Sequence, residues 1–128
     1  MSAWARRAGI GMLLLAAASI AAAGAAGDAQ RGEMLYEQRC SACHSVHANR
    51  VGPAHAGVFG RMAGTAPGYD YSPALQHAGF RWTAQRLDAW LTDPERLVPG
   101  QKMGYSVPDA ADRRDLIAYL KTLTPAAP

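Results

Sequence analysis

The chain has 128 residues, 49% of them hydrophobic, which suits one compact domain and excludes two. Its 13 basic and 10 acidic side chains nearly balance, and two of the basic ones, Arg6 and Arg7, fall in an N-terminal leader. The remainder is too close to neutral for a nucleic-acid-binding surface and gives little ground for strong steering of an acidic partner.

Residues 1–26 read as a secretory signal peptide that is cleaved. Arg6 and Arg7 precede an apolar run from Ile10 to Ala23, and Ala23-Gly24-Ala25-Ala26 offers the small residues that cleavage needs. The run is Ala-rich and shorter than the ~20 residues of a spanning helix, so no stable membrane insertion is expected after cleavage. The domain, residues 27–128, is small. A chain of roughly 100 residues buries about 60–65% of its unfolded surface and is marginal unless something else supplies a core.

A first helix is expected from about Ala29 to Arg39, with Met34, Leu35 and Tyr36 as its apolar content. From Ser45 to Tyr71 the chain is irregular and rich in Gly and Pro, a length of loop that is uncommon unless it is functional or wraps something. Ser72-Pro73 pairs an N-cap with proline at the first helical position and opens a short helix to about His77. Thr83 caps the next helix, which places Leu87, Trp90 and Leu91 on one face. Asp93-Pro94 repeats the cap-plus-proline signal. Asp109 opens the last helix, with Asp112 in its first turn, a stripe of Leu116, Ile117, Leu120 and Leu123, and Pro125 as the stop. No segment alternates as a strand would. The class is all-α, with large loops.

The chemistry concentrates in Cys40-Ser41-Ala42-Cys43-His44. Two thiols at this spacing can form thioethers with the two vinyl groups of a haem, and the following histidine then falls beneath the iron as its proximal ligand. A thioredoxin-like redox pair would want a βαβ setting, which is lacking. A zinc site would need two further ligands, and His47, His55 and His77 form no obvious second knuckle. A simple disulfide stays open. Export together with the motif favours haem attachment. Among the methionines that could supply a second iron ligand, Met34 is expected to pack in the core as part of the first helix. Met62 follows Arg61 in the glycine-rich loop. Met103 lies in Val98-Pro99-Gly100-Gln101-Lys102-Met103-Gly104-Tyr105, a constrained loop that helix packing does not dictate, and is the better candidate.

With these motifs in order, the sequence resembles the class I c-type cytochromes, the small bacterial proteins related to mitochondrial cytochrome c. Gly32 and Tyr36 match the family's first helix, and Cys40, Cys43 and His44 its haem motif. Gly52-Pro53 matches the segment whose proline carbonyl orients the proximal histidine, and Leu116-Ile117-Ala118-Tyr119-Leu120 matches the last helix, which crosses the first at Gly32. The resemblance implies a cytochrome c fold of about 4–5 short helices around one covalent haem c. It also implies Met103 as distal ligand opposite His44, and Arg61, Tyr71 and Trp82 at the haem propionates.

There are departures. His55 stands where leucine is usual, and is expected to be a surface histidine of a shifted loop, or else a competitor of Met103 for the iron. Trp90 replaces a tyrosine that reaches the methionine sulfur, and Leu75 replaces a polar residue. The implied function is a periplasmic single-electron carrier, monomeric and not an enzyme, docking redox proteins transiently at the haem edge, with Arg39, Arg50 and Lys102 as rim contacts. The alternatives are an electron-input subunit of a dehydrogenase or oxidase, and a five-coordinate haem enzyme such as a peroxidase.

Overall fold

A computed structural model describes Met1 and residues 26–125. The expected signal peptide lies outside the described residues except at its two ends. Among the described residues five helices follow in order: α1 (Ala29–Arg39), α2 (Pro73–Gln76), α3 (Ala84–Thr92), α4 (Pro94–Leu97) and α5 (Ala110–Thr122). No helix among the described residues is long and apolar enough to cross a membrane.

The helix starts obey the expected local chemistry. Ser72, Thr83, Asp93 and Asp109 each accept a backbone N–H of the turn they open, and the prolines at α2 and α4 sit where no donor is needed. Asp28 caps α1 in the same way, accepting from Gln30 and Arg31 N–H.

α1 and α5 form the principal helix pair. They approach closely because Gly32 has no side chain: a Cβ there would run into the carbonyl of Asp115. Tyr36 packs on Tyr119 across the crossing, with ring centroids 5.3 Å apart. Leu116 and Leu120 of α5 are buried, as the stripe predicts, while Ile117 and Leu123 are only partly so. The stripe does not predict that Asp112 and Asp115 are buried as well. Arg31 bridges both, at 2.5 Å each, and Arg39 reaches Asp112 at 3.0 Å, so the two helices are stapled by a four-residue ionic cluster. Met34 is a correction. It points outward, 56% exposed, and Gly32, Leu35 and Tyr36 supply the buried face of α1.

The long loop is anchored rather than free. Ala63 N donates to Phe80 O at 2.8 Å, Trp82 N to Arg61 O at 2.9 Å and Gly60 N to Trp82 O at 2.7 Å, around an isolated antiparallel bridge between Met62 and Arg81. Gly64 takes φ +75° with Leu75 O pressed against it, a place only glycine fits. The helices and these loops enclose a largely apolar cavity of about 490 Å³.

Candidate functional site

The Cys-x-x-Cys-His segment continues α1 as a tight turn. Cys40 N donates to Tyr36 O, and Cys43 N and His44 N both donate to Cys40 O, which winds the three side chains into the cavity wall. The two cysteines are not joined to each other in a disulfide. Burial pushes the Cys40 thiol up to about 11. Arg50 braces the turn from outside, its guanidinium donating to Ser41 O at 2.5 Å.

His44 is set by two neighbours. Its Nδ1 lies 2.9 Å from the carbonyl of Pro53. A carbonyl can only accept, so Nδ1 carries the proton and the neutral ring keeps its lone pair on Nε2, the form that binds a metal. Burial lowers the His44 pKa, partly offset by the Pro53 bond, and so favours that neutral ring. Gly52 leaves room for the imidazole: a Cβ there would overlap the ring. Gly52 N also donates to Cys43 O at 2.8 Å, tying the Gly-Pro segment to the motif.

Met103 is half-buried against the core and lines the same cavity. Its loop is pinned at both ends. Glu95 of α4 accepts Gly100 N–H at 2.9 Å and the Gln101 amide at 3.2 Å, and Val107 N donates to Leu91 O at 2.7 Å. Glu95 escaped the sequence reading. Its signal was an acid five residues before Gly100, interpretable only once the turn's conformation is known.

Three further walls carry hydrogen-bond donors. Arg61 gives its terminal nitrogens to Ala56 O and Ala54 O at 3.1 and 3.2 Å, while its buried Nε has no partner. Tyr71 accepts Ala66 N–H at 3.0 Å through its hydroxyl, so its own proton is free to give. Trp82 is buried, edge-on to Phe80 and Trp90. All eight residues singled out from the sequence line this one cavity: Cys40, Cys43, His44, Pro53, Arg61, Tyr71, Trp82 and Met103. An apolar enclosure with two cysteines and a neutral histidine at one wall and uncommitted donors at another suits a large flat apolar group carrying carboxylates. A haem fits that description.

His55 departs from both expectations. It lines the cavity and stacks on His44, with ring centroids 4.0 Å apart and planes 19° apart. It is half-buried at the cavity wall, and it stands beside His44 rather than opposite it, so it is not placed to replace Met103. Burial first, then the neighbouring His44 and Arg61, drive its pKa well below the ordinary histidine value. Leu75 and Trp90 are buried at the cavity wall, and the Trp90 indole makes no hydrogen bond to the Met103 sulfur. The rim cations are all engaged: Arg39 with Asp112, Arg50 with the motif turn, Lys102 with Asp70 O at 3.1 Å.

The family profile described as cytochrome c matches residues 29–124. Cytochrome c of Euglena viridis is 46% identical over 100 residues, covering 76% of this chain and 98% of that one. Cytochrome c2 of Rhodopila globiformis is 44% identical over 100 residues, covering 76% and 94%. The solved structure of cytochrome cH from Methylobacterium extorquens superposes with a TM-score of 0.72 at 45% identity, covering 75% of this chain and 99% of that one. Profile, relatives and fold agree with the site assembled above: the chain belongs to the cytochrome c family, as a class I c-type cytochrome.

Proposed function

We propose that this chain is a periplasmic shuttle for single electrons whose one haem c is thioether-linked to Cys40 and Cys43 and ligated by His44 and Met103. As a member of its family it is an electron carrier with covalently held haem c. The ligand pair, the compartment and the removal of residues 1–26 are the proposal's own content. The observation that carries it is the His44–Pro53 hydrogen bond, which commits Nδ1 and leaves Nε2 as a lone-pair donor on a ring that lines the cavity.

Bound there, the haem supplies a reversible one-electron couple. The chain does the rest. Cys40 and Cys43 keep the group from being lost after export. Met103 offers a soft thioether that favours ferrous iron and raises the potential. Arg61, Tyr71 and Trp82 stand ready to donate to propionates, and Leu75, Leu87, Leu91 and Leu116 keep water from the pocket. If His44 and Met103 both ligate the iron, no coordination site would remain for a substrate, so the chain is read as a carrier and not an enzyme. Redox partners then dock transiently at the rim formed by Arg39, Lys102 and Tyr105.

The test is visible spectroscopy of the oxidised protein beside Met103→Ala. The wild type should show the weak long-wavelength band of sulfur-to-iron charge transfer, and the variant should lose it together with a marked fall in midpoint potential. A wild-type spectrum without that band would favour an open-faced haem enzyme instead.

A further inference from the structure

His55 has no part in the ligand set, yet its side chain is held in the cavity wall by a hydrogen bond and two ring contacts. Its Nδ1 is 3.0 Å from the hydroxyl of Tyr36, and the two rings meet edge-on at 5.6 Å. Tyr36 belongs to the rigid α1–α5 crossing, packed on Tyr119. The segment carrying His55 is tied to the segment after the motif by His55 N donating to Ser45 O at 3.0 Å and Ala56 N to Val46 O at 2.7 Å. His55 is thereby fixed from two sides before it touches His44.

A phenol is a stronger acid than an imidazole N–H, so the better bond has Tyr36 donating and Nδ1 accepting. That bond fixes how the His55 ring is turned. The constraint matters for His44, whose Nδ1–Pro53 bond sets where one nitrogen points but lets the ring rock about the line of that bond. Gly52 lies against part of the ring, and the stacked face of His55 closes off the remaining motion. Leucine would fill the same volume with neither a flat face nor an acceptor for Tyr36.

We propose that Tyr36 and His55 are positioning residues that act in series to set the plane of the His44 imidazole. His55 stacks on that ring, and Tyr36 holds His55 in the stacking orientation. The inference rests on the reading of His44 as an iron ligand. Its consequence is electronic. The plane of an axial imidazole decides which iron orbitals its π system meets, and so how unpaired spin is distributed over a ferric haem.

The experiment uses the exported, haem-loaded protein in its ferric state. Proton NMR records the hyperfine-shifted haem-methyl resonances of wild type, Tyr36→Phe, His55→Leu and the double variant, alongside their thermal midpoints. Both replacements conserve volume, and Tyr36→Phe removes a single hydroxyl. The methyl pattern should move by more than a linewidth in Tyr36→Phe and further in His55→Leu. Adding Tyr36→Phe to His55→Leu should change it no more. Midpoints that fall while the methyl pattern stays at wild type would show ordinary packing and overturn the proposal. So would a Tyr36→Phe effect that persists undiminished without His55. A wild type lacking the strongly upfield methyl signal of an iron-bound methionine while keeping shifted haem methyls would refute Met103 ligation and leave this proposal standing. A wild type with no shifted haem methyls at all would remove both.

Discussion

At the scale of single residues, His44 depends on what its neighbour lacks. Gly52 takes no left-handed conformation; its value is the space beside its α-carbon, which the imidazole occupies. Gly52→Ala should displace the ring and weaken the Pro53 bond, destabilising the fold by about 1–3 kcal/mol, as overpacking of a filled site does. Thermal unfolding and the yield of haem-loaded protein check this, and an unchanged melt with full loading would contradict it. Why Gly52 matters is invisible in the chain, because the ring that fills the space lies eight residues earlier and the turn between them is irregular. The motif itself was legible because its spacing alone carries the chemistry. His55 was misread for a related reason: a histidine in an irregular loop rich in Gly and Pro suggests solvent, and only the fold shows that Tyr36, nineteen residues earlier, supplies its partner.

At the scale of elements, helix starts were legible because a capping Asp, Ser or Thr stands directly before each one. The charge pattern of α5 was not. Asp112 suggested a favourable first-turn acid and Asp115 was not singled out, yet both lie against α1, because Arg31 and Arg39 reach over to meet them. The Asp115 carboxylate accepts Asp28 N–H at 2.8 Å and the Arg31 guanidinium, and these bonds hold its pKa below the ordinary value. The sign follows from linkage. A carboxyl with a lowered folded pKa contributes stability that is complete above its unfolded pKa and is lost as pH falls through the folded one. The melting temperature should therefore fall below about pH 4, the unperturbed aspartate range. Asp115→Asn should melt lower at neutral pH and show a shallower acid decline. Equal slopes for variant and wild type would assign the acid sensitivity elsewhere.

At the scale of the whole molecule, the cavity of about 490 Å³ is large for so short a chain. Left unfilled, an apolar space of that size would cost at most about 12 kcal/mol at ~24 cal/mol per Å³, comparable to the entire stability of a typical domain at about 5–15 kcal/mol. The α1–α5 crossing has its own contacts through Gly32, Tyr36 and the ionic cluster, and needs little from the cavity's contents. The loops from Ser45 to Tyr71 and around Met103 are different, since their inner faces look into that space. Haem attachment should then be the event that completes folding. A Cys40→Ser/Cys43→Ser chain isolated free of haem should retain part of its helical far-UV signal, contributed by α1 and α5. It should lose the near-UV signal of Trp82 and Trp90 at the cavity wall and melt without a cooperative transition. A sharp melt matching the haem-loaded protein would mean that the loops hold the cavity open by their own hydrogen bonds, with the Met62–Arg81 bridge and the Glu95 clasp as the first places to look.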